Sequence, residues 1–195
     1  MRALAWAVLA TLAASLWVEA APALRPDPAR NLVANGSFED GPEFEVHIPL
    51  DKDATTLKGW VVTRGQIDLC QEKDGNWTAP DGKRSLDLHG SPGYGGVKQT
   101  LETRAGKKYR LTFQMTGNPQ AGLTEARLTV RAGGVDREFA VDMAGVTHAD
   151  PKWTRQTWEF TATDRATVLE IHTAMPTANA YGGPMVDDVK VVAVD

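Results

Sequence analysis

The residues with the greatest chemical potential are the histidines, the single cysteine and scattered carboxylates. No two of the four histidines have the His-x-x-x-His spacing of a zinc site: they are His47, His89, His148 and His172. No Gly-x-Ser-x-Gly sequence supplies a hydrolase nucleophile. Cys70 ends an apolar strand, where we expect a buried, inert thiol. The missing motifs favour a non-catalytic protein. A glycosidase, however, needs only two carboxylates and no motif, so loop acids such as Glu43, Glu45 and Glu72 leave an enzyme as an alternative.

One carboxylate is placed for cation binding by the strand pattern. Asp187 falls on the same strand face as Val189 and Val191, so alternation turns it toward the interior. A buried, unpaired carboxylate is costly, and pairing or a metal is the usual remedy. Calcium accepts carboxylate and carbonyl oxygens in a flexible shell. The alternative is that Asp187 is paired with an arginine or with backbone N–H groups.

Aromatic side chains in polar loops are the candidates for ligand contact. Trp77 lies in Asp-Gly-Asn-Trp-Thr, and Tyr94 and Tyr181 are also flanked by loop residues. Such rings could stack on the C–H faces of a sugar, with polar neighbours bonding its hydroxyls. Asp87 and His89 share one face of a short strand and are the polar candidates. Equally, the aromatic rings could cap the edges of the fold.

Alternation of apolar and polar residues predicts strands along most of the chain. Tyr109, Leu111, Phe113 and Met115 alternate with polar residues, and the same pattern recurs near residues 128–131, 139–143, 155–160, 169–171 and 189–191. Turn sequences such as Asp74-Gly75 and Gly133-Gly134 separate these runs. No segment after the leader has an apolar stripe of helical spacing and length. The pattern predicts an all-β sandwich of two sheets.

The first residues have the three-part pattern of a secretory signal peptide. A positive start is followed by an apolar run over 3–18 and by small residues that suit cleavage near Ala20 or Ala23. An uncleaved anchor is the alternative, but the run is shorter than the ~20 residues that span a bilayer. We therefore predict a signal peptide over 1–23, a Pro-rich spacer over 24–30 and a domain over 31–195. The protein would be secreted, extracellular or periplasmic, with no membrane attachment after cleavage.

Composition narrows the class further. The 195 residues carry 21 Lys+Arg against 25 Asp+Glu, a net charge of −4 that does not suit a nucleic-acid partner. One cysteine excludes a disulfide scaffold within the chain.

Several motifs, in order, resemble those of a known family. The run Asn31-Leu-Val-Ala-Asn-Gly-Ser-Phe-Glu39 and the run Lys58-Gly-Trp-Val-Val-Thr-Arg-Gly-Gln-Ile-Asp68 are the first two. Further matches occur at 81–90, 95–100, 106–113, 117–119 and 181–189. Together they are similar to the choice-of-anchor C family of bacterial secreted proteins and to the related plant cell-wall proteins whose domain has unknown function.

The resemblance implies a galactose-binding-like jelly roll that binds polysaccharide or another matrix component. It also implies a structural Ca²⁺ held by Glu39, which we expect at the end of a first strand, and by Asp187, with Asp188 or Asp40 as a further ligand. Three functions follow, in order of preference. The first is a non-catalytic carbohydrate-binding module for cell-wall or matrix polysaccharide, the second an adhesive protein that binds other proteins, and the third a glycan-active enzyme. Neither the ligand nor the oligomeric state follows from the sequence.

Overall fold

The regular structure of the protein is almost entirely β-strand. The computed structural model describes residues 30–90, 93–174 and 181–194, and these contain eleven strands and one short 3-10 helix, Pro119–Ala121. The strands are β1 (His47–Asp51), β2 (Val61–Arg64), β3 (Gln66–Gln71), β4 (Arg84–Asp87), β5 (Gly96–Glu102), β6 (Lys108–Gly117), β7 (Glu125–Ala132), β8 (Val135–Asp142), β9 (Thr154–Thr161), β10 (Ala166–Thr173) and β11 (Pro184–Ala193). The leader and the spacer predicted over 1–30 lie, except for Arg30, outside the described residues. None of the described residues forms a helix long and apolar enough to cross a membrane.

Two antiparallel sheets form a sandwich. The six-stranded sheet has the order β1-β3-β4-β11-β6-β9, and the five-stranded sheet has the order β2-β5-β10-β7-β8. The chain passes between the sheets repeatedly, so that most neighbouring strands in a sheet are not consecutive in sequence. The predicted all-β, two-sheet sandwich is confirmed.

The core lies between the two sheets and follows the predicted alternation. On β6, Tyr109, Leu111, Phe113 and Met115 are at most 1 % exposed, while the intervening residues face outward. Phe113 meets Phe139 of the opposite sheet edge-on, with ring centroids 5.1 Å apart. Because each strand buries every second side chain here, the core forms without a disulfide.

The outer face of the six-stranded sheet is covered by loops. Thr116, on this face of β6, donates a hydrogen bond from its hydroxyl to the Pro151 carbonyl in the β8–β9 loop. The β3–β4 loop reaches the same face, since the Asp81 N–H donates to Asp187 at 2.9 Å. This covered face carries the polar residues considered below.

The strand-face prediction for Asp187 was wrong, although the residue is buried. Asp187 pairs with Gln114 and Val191 pairs with Leu111, and these two partners lie on opposite faces of β6. The reason is a bulge, marked by a register shift after Asp187 and by a φ of 52° at Asp188. Asp187 therefore points to the covered outer face and not into the core.

The segment before β1 also differs from expectation. Glu39 was predicted to end a first strand, but the segment 31–46 is irregular and the first strand begins at His47. Positive φ angles at Asn35 (51°) and Phe38 (60°) interrupt any extended run. The segment is still fixed, because Leu32 N–H donates to the Val191 carbonyl at 2.8 Å.

Candidate functional site

A cavity of about 280 Å³ opens between the loops that cover the six-stranded sheet. It is lined by residues from four separate segments: Val46, Lys73, Asp74, Asn76, Trp77, Gln120 and His148. Trp77, the leading sequence candidate, is therefore in a cavity wall.

Trp77 is presented by a tight hairpin. Lys73 and Asn76 exchange backbone hydrogen bonds of 3.0 and 2.9 Å around Asp74-Gly75. Both turn residues have positive φ, 53° and 75°, which is the two-residue turn that an Asp-Gly pair favours. The hairpin leaves Trp77 half-buried at its base with its ring against the cavity.

His148 is the partner of Trp77 across the cavity wall. The backbone N–H of Trp77 donates to the His148 carbonyl at 2.9 Å. The centroids of the two rings lie 4.5 Å apart, and the ring planes are tilted by 51°. The Nε2 atom of His148 is buried and has no hydrogen-bond partner among the described residues. A polar ring atom beside an indole in a cavity is an arrangement that a hydroxyl-bearing ligand could complete.

Two further contacts fix the loops that carry these rings. Trp153 donates from its indole N–H to the Thr78 carbonyl at 2.8 Å, joining the β8–β9 loop to the Trp77 loop. Thr147 and Asp150 close the His148 turn through two hydrogen bonds of 3.0 Å. Trp153 thus joins the two loops that carry these rings.

Gln120 forms another wall and depends on a buried network. Asn118 caps the short 3-10 helix by accepting from the Gln120 N–H at 2.9 Å, and its amide donates to Asp87 at 2.8 Å. Asp87 also accepts from the His89 N–H at 2.9 Å and the Gly183 N–H at 3.0 Å. The Asp87 carboxylate therefore joins β4 to the segment of Asn118, after β6, and to the segment of Gly183, before β11.

The structure corrects the placement of Asp87 and His89 as surface ligand contacts. They are 1 % and 0 % exposed, because β4 is central in its sheet and the loops pack over its outer face. Burial raises the pKa of Asp87 to about 7, with a smaller contribution from the neighbouring Asp68 carboxylate. Burial likewise raises the pKa of the Cys70 thiol, as its predicted inertness requires. None of these groups lines the cavity.

Tyr94 and Tyr181 are exposed, 45 % and 65 %, but do not line the Trp77 cavity. Tyr94 lies beside the turn between β2 and β3, where a Cβ on Gly65 would be 2.1 Å from the Tyr94 carbonyl oxygen. Tyr181 precedes Gly182, which packs so closely on Asn118 that a Cβ would meet its Cγ at 2.7 Å. The two tyrosines thus belong to other parts of the surface.

The predicted calcium ligands converge on one segment, residues 81–84. Glu39 accepts 2.8 Å hydrogen bonds from the N–H groups of Lys83 and Arg84. Asp187 accepts from the Asp81 N–H at 2.9 Å and the Asp188 N–H at 2.6 Å. These are the backbone contacts given above as the alternative to a metal.

These carboxylates suit calcium in chemistry but not in their present spacing. Burial raises the pKa of Asp187 to about 8, and the charges of Asp188 and Asp81 add to that effect. Asp188 forms an ion pair with Lys190. Within the described residues, no three His, Cys, Asp or Glu side chains are grouped closely enough to hold a metal ion. Calcium at this place would require these carboxylates to lie closer together than they do.

The cavity is balanced in charge. Lys73 pairs with Glu45, and Asp74 is the one acid in the lining. Val46, Gln120 and His148 were not identified from sequence, because they come from segments that only the fold brings beside Trp77. The arrangement can stack a ring and bond neutral hydroxyl groups.

The fold resembles those of known carbohydrate-binding modules and of a tailspike domain. TmCBM61, solved in complex with β-1,4-galactotriose, matches with a TM-score of 0.53 at 17 % identity, covering 85 % of this chain and 100 % of that one. The enzymatically active domain of bacteriophage CBA120 tailspike protein 4 matches with a TM-score of 0.55 at 11 % identity, covering 86 % and 22 %. At such identities the likeness shows the fold alone.

The chain belongs to the DUF642 family of proteins of unknown function, whose profile matches residues 31–192. Halomucin of Haloquadratum walsbyi is 31 % identical over 169 residues, which are 83 % of this chain and 2 % of halomucin. The Arabidopsis thaliana protein DUF642 L-galactono-1,4-lactone-responsive gene 1 is 29 % identical over 175 residues, 84 % of this chain and 46 % of that protein. The predicted relationship to the plant family is confirmed. The chain spans less than half the length of either relative.

Proposed function

We propose that this protein is a secreted, non-catalytic polysaccharide-binding protein whose ligand enters the Trp77 cavity. The observation that carries the proposal is the pairing of Trp77 with His148, 4.5 Å apart, in the wall of a cavity lined by amide and charged side chains. An aromatic face beside hydrogen-bonding groups is what a sugar ring requires, since it presents C–H surfaces and hydroxyls together.

The contacts of the cavity favour a neutral sugar unit. Trp77 would stack on the ring, His148 Nε2 would bond a hydroxyl, and the amides of Asn76 and Gln120 would bond others. Lys73 is already paired with Glu45, so it offers no free positive charge for an acidic group. The galactotriose complex of the similar module makes β-1,4-galactan a first ligand to try.

Binding without catalysis is supported by the position of two neighbouring acids. Asp68 and Asp87 are directly opposite on β3 and β4, and the Asp68 charge adds to the burial that raises the pKa of Asp87. Asp87 is 1 % exposed and is engaged by Asn118, so this carboxylate pair does not face the cavity. A glycosidase needs two carboxylates on either side of an accessible glycosidic bond.

Location outside the cytoplasm belongs to the same proposal and rests on the signal-peptide pattern of residues 1–23. Amino-terminal sequencing of the protein recovered from the culture medium or periplasm checks it. A first residue at 21 or 24 supports export with cleavage, whereas an intact Met1 in the membrane fraction contradicts it.

A structural calcium ion at Glu39, Asp187 and Asp188 remains a separate proposal. Asp81 and Asp188 lie close enough to Asp187 for their charges to raise its pKa, and a cation would offset the repulsion among the three acids. Calcium bound there would fasten the segment before β1 to β11.

The functional proposal is tested by presenting the purified secreted protein to a panel of galactans, pectins, cellulose, xylans and bacterial exopolysaccharides. Retention on at least one polysaccharide, with no release of reducing sugar, supports it. A lack of retention on every polysaccharide in the panel contradicts it and favours a protein-binding matrix component. Release of product would favour an enzyme.

A further inference from the structure

A second cavity, of about 590 Å³, lies at the other end of β6. It is lined by Glu102, Thr103, Arg104, Ala105 and Arg165. Glu102 to Ala105 precede β6 and Arg165 lies between β9 and β10, whereas Gln120 of the Trp77 cavity follows β6. The 10 residues of β6 extend for about 33 Å, so the two cavities occupy opposite ends of the sandwich.

Two guanidinium groups at this cavity are without acidic partners. Arg104 is half-buried and Arg165 is exposed, and neither forms an ion pair among the described residues. Five other arginines in the described part of the chain do so: Arg64, Arg84, Arg110, Arg127 and Arg131. A pair of unengaged guanidinium groups around one cavity is a recognition element for an anion.

The backbone under the two arginines is held in place before any ligand arrives. The Thr103 N–H donates to the Arg165 carbonyl at 2.8 Å, and the Thr103 hydroxyl donates to the Asp164 carbonyl at 2.9 Å. The Arg104 N–H donates at 2.9 Å to the hydroxyl of Tyr109, which is 1 % exposed. The spacing of the two arginine backbones is thus set by the sandwich, which lowers the entropy lost on binding.

Two acids lie near the arginines and limit what can bind. Glu102 is in the lining, and Asp164 accepts a 2.6 Å bond from the Arg165 N–H. Neither carboxylate pairs with a guanidinium group, so the positive charge remains available.

We propose that this cavity binds the carboxylate of an acidic saccharide, a uronate unit of a polysaccharide. Guanidinium groups match a carboxylate with two parallel hydrogen bonds, and the cavity volume is within the range of small-ligand sites. The choice of an anion rests on the two arginines alone. The choice of a saccharide rests on the proposed function. The protein would hold a neutral chain at one end and an acidic chain at the other.

Titration calorimetry with a short oligogalacturonate tests this, and the methyl-esterified oligomer is the uncharged ligand of matched size. The protein variants are Arg104→Ala/Arg165→Ala and, as a matched control, Arg155→Ala. Arg155 also forms no ion pair in the described residues, and it pairs with Gln114 at the far end of β6. Trp77→Ala, which alters only the cavity at the other end, shows whether the oligogalacturonate binds at the arginines or beside Trp77.

The oligogalacturonate should bind the parent, Arg155→Ala and Trp77→Ala alike, and the double variant should bind about tenfold more weakly or worse. Raised ionic strength should weaken the binding. Equal binding of the esterified oligomer, unchanged binding by the double variant, or no binding by the parent would overturn the proposal. Preference for a sulfated oligosaccharide of the same length would overturn the assignment to carboxylate. Because Trp77→Ala leaves this site intact, failure of the neutral-glycan proposal would be seen separately.

Discussion

Asp87 accepts a 2.8 Å hydrogen bond from the side-chain amide of Asn118, and this bond connects a buried strand to the wall of the Trp77 cavity. The other side-chain atom of Asn118, Oδ1, caps the helix that carries Gln120. Both partners are at least nine-tenths buried, so water cannot replace the bond readily. We therefore expect Asp87 to position the cavity wall through Asn118, in place of the direct ligand contact that the sequence suggested.

Replacing Asp87 with Asn should weaken glycan binding several-fold without removing a cavity residue. The new amide would place an N–H group against the Asn118 amide, or turn it toward the His89 and Gly183 N–H groups. Affinity electrophoresis on the bound polysaccharide measures the change. Ser85→Ala, a buried neighbour on the same strand face, is the control that should keep parental affinity. An Asp87→Asn protein that binds like the parent would show that the network does not position Gln120.

The stability of the protein should depend on pH through Asp87. Burial raises the pKa of this carboxyl from 3.8 to about 7. Between these two pH values, the native state therefore holds a proton that the unfolded chain has lost. The stabilisation from the protonated group is complete below about pH 4 and is lost as the pH rises through 7, by on the order of 4 kcal/mol. Asp187 acts in the same sense, since its pKa is raised to about 8.

Urea unfolding from about pH 4 to pH 8 separates the two groups when the parent is compared with Asp87→Asn. The variant should lose part of the fall in unfolding free energy that the parent shows. Parallel curves for the two proteins would contradict the assignment to Asp87.

Removing the His148 ring should lower affinity for the bound glycan by about tenfold, because His148 lines the cavity and its ring contacts Trp77. His148→Ala keeps the backbone carbonyl that fixes Trp77. The matched control is His47→Ala, an exposed histidine on β1 that does not line the cavity. Comparable losses in both variants would mean that the ring of His148 is not part of the site.

Calcium, if it binds as proposed, should raise the melting temperature, and chelation by EDTA should lower it. Asp187→Asn should abolish the response to calcium, whereas Asp150→Asn, an acid in the β8–β9 loop, should retain it. Differential scanning calorimetry provides the midpoints. A midpoint that is the same with calcium and with EDTA would leave the backbone hydrogen bonds of Glu39 and Asp187 as the complete account of these acids.

The strands could be predicted because apolar and polar residues alternate along them with a period of two. Leu128 and Val130, or Trp158 and Phe160, are buried as their alternation indicates. The bulge at Asp187 could not be predicted in this way, since a single inserted residue changes the face without changing the composition. Alternation therefore identified the sandwich but misassigned the face of its most unusual carboxylate.

The site was predicted in part. Trp77 was identified because a large ring in an Asp-Gly-Asn loop has no evident core position. His148 and Gln120 follow other strands and approach Trp77 only through the covering loops. Asp87 was expected at the surface because one face of an antiparallel strand is usually wet, and here loops cover that face.

The measurement that tests the central claim most directly is the affinity of the purified protein for the polysaccharide that it binds most tightly, compared with the affinities of Trp77→Ala and Tyr94→Ala. The Trp77 backbone bond to His148 survives the first substitution, so the loop should keep its course. We predict that Trp77→Ala loses about tenfold or more in affinity. Tyr94→Ala, which removes an exposed ring outside the cavity, should bind like the parent. Parental affinity in a folded Trp77→Ala protein would contradict the account.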